Sequence, residues 1–328
     1  MKTRRAAAAG SLAGLAVGLV ALPLSALLNN TVLASRGGST TGFQATNVVA
    51  TARVAKPRGQ RAATVLVIAH RGFSDIAPEN TVPAMTAAAA AGADLVEFDV
   101  QRTIDGHLIV VHDTTFSRTT DVATVFPRRA ADPVGSFSLA EVRQLDAGSW
   151  KGPQFAGTGV PTLDELLAAM QPTTTGLLLE LKDPELYPGY ETTVARALSR
   201  HGFTGSGRVF VHSFDAASLA TFHHAAPTVP LGLITEDGAG NVPTGQDSWL
   251  GTINPTAGTV TDAGVDSAQA RHLKVFAWPL DPSQSSAAQI ERLVDDGVDG
   301  IITDNPILVR HEIATAGATT TPGNGTSA

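Results

Sequence analysis

The stretch VLVIAH (65–70) is a short apolar run without polar alternation, which is typical of a strand buried on both faces. Seven further runs of this kind follow along the chain: DLVEFDV (94–100), GLLLELK (176–182), RVFVHSF (208–214), PLGLIT (230–235), GTINP (251–255), KVFAWP (274–279) and GIITD (300–304). Strands that alternate with helices favour parallel pairing, and eight such units can close on themselves. We therefore predict an α/β fold, a TIM-type (β/α)8 barrel.

Helical segments are predicted between these runs. The segment Asn80 to Ala91 offers Asn80 as an N-cap and Gly92 at its end. Thr162 to Met170 begins with a capping box, because Glu165 follows Thr162 at the third position. The other predicted helices cover residues 192–201, 215–224, 262–271 and 285–296.

One apolar run interrupts the alternation. HLIVVHD (107–113) follows the second strand after QRTIDG, which is too short for a helix and contains the turn signal Asp105-Gly106. We therefore predict an antiparallel excursion above the second strand. Residues 114–160, rich in Thr, Gly, Pro and Arg, then predict an insertion that forms a rim loop or small subdomain near the barrel mouth.

The N-terminus is typical of a secretory signal. Basic residues at Lys2, Arg4 and Arg5 precede an uncharged stretch that ends in the small-residue cleavage site Val32-Leu33-Ala34. We expect residues 1–34 to direct export of the protein. The alternative is an uncleaved membrane anchor over residues 6–28, because this run approaches the ~20 residues that a spanning helix needs.

Composition outlines the remaining domains. Residues 35–63, rich in Ser, Thr, Gly and Ala, predict a flexible linker, and residues 315–328 predict a disordered tail. Between them, residues 64–314 form the predicted barrel domain. Hydrophobic residues make up 43% of the chain and charged residues 16%, which is enough apolar material for a large core and too little charge for a disordered chain.

Cysteine usage and charge exclude several classes of protein. The chain has no cysteine, so disulfides, thiolate-bound metals and a thiol nucleophile are excluded. The net charge is −7, and residues 1–64 hold eight of the 23 basic residues and none of the 30 acidic ones. The rest of the chain is therefore strongly acidic, which argues against a nucleic-acid-binding protein. An anionic ligand would have to be bound by local charge or a metal.

Carboxylates gather at the predicted strand ends. Glu97 and Asp99 are two residues apart on one strand, so they point to the same face, and Glu180 lies on the next barrel strand. Buried carboxylates without partners are costly, and a hard cation such as Ca²⁺ or Mg²⁺, which prefers oxygen ligands, would offset that cost. The alternative is a structural network of ion pairs with Arg71 and Lys182.

Histidines stand at the same edge of the predicted barrel. His70 ends the first strand, His112 ends the excursion, and His212 ends the fourth strand. Two imidazoles that face one site suit acid–base catalysis near neutral pH, although a single strand-end histidine is more often structural. With Arg71 and Lys182 as phosphate-binding cations, the set suits attack at a phosphodiester.

These segments resemble the glycerophosphodiester phosphodiesterases. The matching motifs occur in the family's order and span residues 65–310. They read AHRG (69–72), APENT (77–81), VEFDV (96–100), VVHDTTFSRTT (110–120), LLELK (178–182), VHSF (211–214) and GVDGIITDNP (297–306). Each motif is short, and their ordered set is specific. The family is similar to phosphatidylinositol-specific phospholipases C in its barrel and its two histidines.

The resemblance implies a metal-dependent hydrolysis of glycerophosphodiesters to an alcohol and glycerol 3-phosphate, with one divalent cation, Ca²⁺ or Mg²⁺. The implied roles are general acid–base catalysis for His70 and His112, cation binding for Glu97, Asp99 and Glu180, phosphate contact for Arg71 and Lys182, site support for Glu79 and Asn80, and an aromatic pocket wall for Trp278. One departure follows Trp278: Pro279-Leu280-Asp281 stands where many members have Thr-Val-Asn, which affects substrate preference more than catalysis.

Three other functions fit parts of this pattern. A phospholipase C- or D-like enzyme that cleaves intact phospholipids would use the same barrel, and the insertion and N-terminal segment favour it. A non-catalytic surface protein that binds phosphorylated ligands would not need every catalytic position filled. A glycosidase with paired carboxylates would leave both histidines, Arg71 and Lys182 without a role.

Overall fold

The computed structural model describes residues 65–242, 245, 248–280 and 286–318. The predicted signal and linker lie outside these residues. The last helix, Pro306–Ala318, includes residues 315–318, which the sequence pattern predicts as part of the tail. In the sequence, no proline occurs after Pro306 until Pro322, so nothing in this segment forces the helix to end earlier. None of the helices in the described residues is long and apolar enough to span a membrane.

The described chain folds around a closed barrel of eight parallel strands. The described residues form nine strands, of which all but β3 belong to the barrel: β1 (Leu66–Ala69), β2 (Leu95–Arg102), β3 (Leu108–Val110), β4 (Gly176–Leu181), β5 (Val209–Ser213), β6 (Leu231–Thr235), β7 (Leu250–Pro255), β8 (Lys274–Leu280) and β9 (Gly300–Thr303). Strand β1 pairs with both β2 and β9, which closes the barrel. Strand β3 lies outside the ring and pairs antiparallel with β2. The predicted (β/α)8 barrel and its antiparallel excursion are confirmed.

Helices surround the barrel and fill most crossovers. They are α1 (Val82–Ala90), α2 (Val122–Val125), α3 (Leu139–Val142), α4 (Leu163–Met170), α5 (Tyr190–Arg200), α6 (Ala216–Ala225), α7 (Asp262–Ala270), α8 (Ala287–Asp296) and α9 (Pro306–Ala318). Helix α4 begins with the predicted capping box of Thr162 and Glu165. The predicted cap of α1 is wrong: Thr81, not Asn80, is the N-cap, because Asn80 has a left-handed backbone with φ 58°.

The barrel interior changes from apolar to polar along the strands. Side chains two residues apart share a face, so each strand sends alternate residues into the barrel. One inner cluster is apolar and contains Ile68, Leu95, Leu178, Phe276 and Ile302. Two residues further along four of these strands stand His70, Glu97, Glu180 and Trp278. The polar groups therefore gather at the carboxyl-terminal mouth of the barrel, above an apolar floor.

The insertion between β3 and α4 has a hydrophobic core of its own. Its buried members are Ile109, Val111, Phe116, Val122, Val134, Phe137, Val142, Leu145, Ala147 and Val160. Helices α2 and α3 lie within it, so the segment is a small subdomain. A separate core holds the insertion in a defined shape, which matters because its side chains reach the barrel mouth.

Replacing Phe137 with alanine is expected to lower the free energy of unfolding by about 3–5 kcal/mol. The ring is fully buried, packs edge-to-face on Phe116 at 5.3 Å and lies 4.0 Å from the guanidinium carbon of Arg129. Urea denaturation would measure the loss. The control is Ile104→Ala, because Ile104 is 69% exposed and its truncation should change stability by about 0.5 kcal/mol or less. Equal effects of the two changes would contradict a packed insertion core.

Candidate active site

Three carboxylates converge at the mouth of the barrel. Glu97 and Asp99 project from β2, and Glu180 on β4 stands directly beside Asp99 in the strand register. All three are buried, with at most 8% of each residue exposed. The predicted juxtaposition is therefore present. So many acids in a buried site require cations or protons to compensate their charge.

His212 on β5 joins this cluster. Glu97, Glu180 and His212 offer donor atoms that all lie within 4.8 Å of one another. The His212 Nδ1 atom lies 3.0 Å from the Asn254 amide nitrogen. Sequence reasoning gave His212 no role, although it stands at a strand end within the VHSF motif. Only the closed barrel shows that β5 brings this imidazole to the acids of β2 and β4.

The donor set fits a divalent cation. Asp99 lies outside the tight group of three, but its Oδ1 atom is buried and has no hydrogen-bond partner. The His212 Nε2 atom is buried and unpartnered in the same way. Carboxylate oxygens suit hard cations such as Ca²⁺ and Mg²⁺, and an imidazole nitrogen is also a metal ligand. A bound cation would provide a partner for the buried Asp99 oxygen and for the neighbouring carboxylates of Glu97 and Glu180.

Two of the three acids, Glu180 and Asp99, differ in charge. Burial, and then the negative charge of Asp99, raise the pKa of Glu180 to about 8. Burial also opposes ionisation of Asp99, but Arg71 and then His112 outweigh it and hold the pKa of Asp99 at about 2. Without a cation, Glu180 therefore keeps a proton at neutral pH, and cation binding would displace that proton.

This proton predicts a pH-dependent stability in chelator. Because the folded pKa of Glu180 is about 8 and the ordinary value is 4.5, only the folded state holds the proton between these values. The stabilisation is thus full below about pH 4.5 and is lost as the pH rises through about 8. Denaturation between pH 6 and 8 should show a steeper fall in unfolding free energy for the wild type than for Glu180→Gln. Parallel curves would refute the prediction.

Each predicted catalytic histidine is held by a carboxylate on Nδ1. His70 Nδ1 lies 2.7 Å from Asp304, which also accepts a hydrogen bond from Ser74. His112 Nδ1 lies 2.7 Å from Asp113. A carboxylate on Nδ1 favours the tautomer with its proton there and leaves Nε2 able to accept a proton. Asp304 and Asp113 were missed in the sequence, although both lie in quoted motifs.

The two cations predicted to contact phosphate border the acid cluster. Lys182 Nζ lies 3.1 Å from both Glu180 Oε1 and His112 Nε2. The Arg71 guanidinium donates to Glu79 at 2.8 Å and lies 3.6 Å from Asp99. Burial opposes the charge of both cations, but the neighbouring carboxylates raise the pKa of Arg71 and of Lys182. Both therefore stay charged, as phosphate binding requires.

Glu79 and Asn80 support these groups. Glu79 binds Arg71, and Asn80 donates to Asp99 Oδ2 at 2.7 Å. The Asn80 side-chain oxygen Oδ1 also accepts a hydrogen bond from the Asp99 backbone N–H at 3.2 Å. The left-handed backbone of Asn80 lets its side-chain amide form hydrogen bonds with both the carboxylate and the backbone N–H of Asp99. Asn80 has this contact in place of the capping role predicted for it.

An aromatic wall borders one side of the site. Trp278 donates its indole N–H to the Asn254 carbonyl at 2.7 Å and packs edge-to-face on Phe214, with ring centroids 5.3 Å apart. Phe214 and Lys182 line a cavity of about 660 Å³ that opens from the acid cluster. The predicted departure from the family pattern comprises residues 279 to 281, after Trp278. The side chains of residues 279 and 280 and all of Asp281 lie outside the described part.

Comparison with known proteins identifies the family of this chain. Residues 70–308 match the model of the "Glycerophosphoryl diester phosphodiesterase family". A glycerophosphodiester phosphodiesterase of Caldanaerobacter subterraneus is 35% identical over 249 residues, which cover 74% of this chain and 94% of that protein. A putative glycerophosphodiester phosphodiesterase of Bacillus subtilis is 35% identical over 247 residues, covering 74% of this chain and 96% of that protein.

A solved structure extends the likeness to three dimensions. An Oleispira antarctica phosphodiesterase in complex with the product sn-glycerol-3-phosphate is 27% identical, with a TM-score of 0.66 over 77% of this chain and 98% of that one. The family match spans most of the barrel and includes every residue to which the resemblance assigned a role. The chain therefore belongs to the glycerophosphoryl diester phosphodiesterase family and is a phosphodiester hydrolase.

Proposed function

We propose that this protein hydrolyses glycerophosphodiesters to an alcohol and glycerol 3-phosphate in a metal-dependent reaction, with His70 and His112 as the acid–base pair. The observation that carries the proposal is the pairing of each imidazole with its own carboxylate beside one buried acid cluster. The relative of known structure that holds sn-glycerol-3-phosphate supports the same product.

The cation would be held by Glu97, Asp99 and Glu180, with His212 close enough to contribute a nitrogen. When bound, it supplies positive charge that stabilises the negative phosphoryl oxygens as the diester is attacked. The raised pKa of Glu180 and the unpartnered Asp99 oxygen support this assignment. Recovery of turnover with Ca²⁺ or with Mg²⁺ after chelation would identify the ion.

Arg71 and Lys182 would hold the diester phosphate. Lys182 lies between Glu180 and His112, so a phosphate bound there lies beside one of the two imidazoles. Arg71 follows His70 in the chain, and its backbone N–H donates to Glu97 at 2.8 Å. A phosphate held by both cations would have one histidine on each side of the phosphorus atom, as this acid–base mechanism requires.

The two histidines would move the protons. One imidazole accepts the proton of the attacking hydroxyl as the new P–O bond forms. The other donates a proton to the leaving alkoxide as the old P–O bond breaks. The attacking oxygen belongs either to the glycerol 2-hydroxyl, which gives a cyclic phosphate that water then opens, or to water itself. Phosphorus NMR during turnover separates the routes, since only the first produces a cyclic phosphate.

A panel of glycerophosphodiesters tests the function. Glycerophosphocholine, glycerophosphoethanolamine and glycerophosphoglycerol would be assayed with chelator, and then with Ca²⁺ or Mg²⁺ restored. We expect glycerol 3-phosphate only when a cation is present. Faster cleavage of intact phosphatidylcholine would favour the phospholipase-like alternative. A failure to cleave any diester would favour a phosphate-binding protein without catalysis.

We also propose that residues 1–34 direct export and are removed, which would place the barrel outside the cytoplasm. The basic start, the uncharged run and the small residues before Ser35 support this. N-terminal sequencing of the protein from its native host tests it. A mature chain that begins near Ser35 is expected, whereas an intact N-terminus in the membrane fraction would support the anchor over residues 6–28.

A further inference from the structure

Arg118 lies on the insertion and binds two carboxylates at once. Its Nε and Nη2 atoms donate to Asp113 at 2.7 and 2.8 Å. Its Nη1 and Nη2 atoms donate to Glu79 at 2.6 and 2.7 Å. Arg118 belongs to the motif VVHDTTFSRTT. Within that motif a function has been proposed for His112 but none for the arginine.

Each of these carboxylates holds one group of the site. Asp113 binds His112 Nδ1, and Glu79 binds the Arg71 guanidinium. The chain of contacts therefore runs from Arg71 to His112 through Glu79, Arg118 and Asp113, with positive and negative groups in alternation. We propose that Arg118 is a positioning residue that fixes the phosphate-binding Arg71 and the imidazole of His112 relative to each other. This inference rests on the proposed function.

The chemistry of the side chain explains why an arginine stands here. A guanidinium presents five N–H groups in a rigid plane, and four hydrogen bonds to two carboxylates use that geometry. The hydrogen bonds from Arg118 lower the pKa of both Glu79 and Asp113 against the effect of burial. A lysine could supply the charge, but its single nitrogen could not hold both carboxylates in one plane.

Loss of Arg118 would release both ends of this network. Glu79 and Asp113 would face each other without the cation between them, so each would repel the other. Asp113, which orients the His112 ring, would no longer be fixed. Glu79, which pairs with Arg71, would no longer be held by Arg118. Misplacement of catalytic groups by about 1 Å can cost ~10²-fold in rate. Because Arg118 is 46% exposed, a small cation from solvent can reach the space that it leaves.

The test compares Arg118→Ala, Arg118→Lys and Arg129→Ala in the full chain, with glycerophosphocholine as substrate and saturating cation. Arg129 is the matched control, because it lies on the same insertion but pairs with Asp132 and Glu141. We expect kcat to fall about 10²-fold in Arg118→Ala and at least about tenfold in Arg118→Lys, with a smaller change in KM. The Arg129→Ala variant should keep kcat within about threefold of the wild type, since it touches none of these site groups.

Two further readouts separate positioning from a general effect on folding. Guanidinium chloride at about 20 mM should restore activity of Arg118→Ala at least tenfold and leave the wild type and Arg129→Ala unchanged, because it can replace the lost group. In the double variant Asp113→Asn with Arg118→Ala, kcat should fall by less than the product of the two single losses, because both changes act on His112 through the same Asp113 contact.

Several results would overturn the inference. These are wild-type kcat in either Arg118 variant, no rescue by guanidinium, or losses that multiply in the double variant. If Arg118→Ala does not fold, Arg118→Lys and its kinetics still decide the question. An inactive wild type on every diester would refute the proposed function instead, so the two failures are distinguishable.

Discussion

Replacing His112 with alanine is expected to lower kcat by about 10³-fold while leaving cation affinity unchanged. His112 Nε2 lies 3.1 Å from Lys182, beside the place proposed for phosphate, and Asp113 holds the other ring nitrogen. Alanine removes the proton donor or acceptor and leaves the acid cluster complete. Steady-state turnover of glycerophosphocholine and calorimetric titration with Mg²⁺ or Ca²⁺ would measure the two effects separately.

A surface histidine of the same hairpin is the control for this change. His107 lies on the turn before β3, and its ring is 53% exposed beside Asp105. His107→Ala should keep turnover within about twofold of the wild type, because surface substitutions far from special features have small effects. Near-normal turnover in His112→Ala would remove this imidazole from the proposed mechanism. Loss of cation binding in that variant would mean that its effect is not confined to proton transfer.

Removing the cation is expected to lower turnover by more than about 10³-fold, because the charge that it supplies contributes several kcal/mol in the transition state. Chelation of the wild type should abolish turnover, and restoring the cation should recover it. Glu180→Gln should stay inactive at cation concentrations that saturate the wild type. The glutamine lacks the charge of one carboxylate in a cluster whose atoms lie within 4.8 Å.

Thermal unfolding gives a readout of the cation that does not depend on activity. A ligand that binds only the folded state raises its melting temperature. Divalent cation should therefore raise the melting temperature of the wild type and of Glu291→Gln, which changes an exposed glutamate on α8. It should raise that of Glu180→Gln much less. Full turnover in chelator, or an equal thermal shift in both variants, would argue against a cation at this cluster.

The barrel could be predicted because its signal is local. Each parallel strand is covered on both faces, so it appears as a short apolar run, and all eight runs coincide with barrel strands. The i, i+2 spacing of Glu97 and Asp99 was equally local, since a strand sends alternate residues to one face. The cap of α1 was not predictable in this way. Asn80 and Thr81 both have capping side chains, and the contact with Asp99 decides which one is free to cap.

The sequence by itself determined the class of fold, the family and the residue types at the ends of the strands, because strand burial and motif order depend on neighbours in the chain. Only the tertiary structure decided which distant groups meet. His212 joins Glu97 and Glu180, Asp304 holds His70 across 234 positions, and the insertion brings Arg118 to Glu79. Such partners are chosen by closure of the barrel and by packing of the insertion core, which no local pattern of residues encodes.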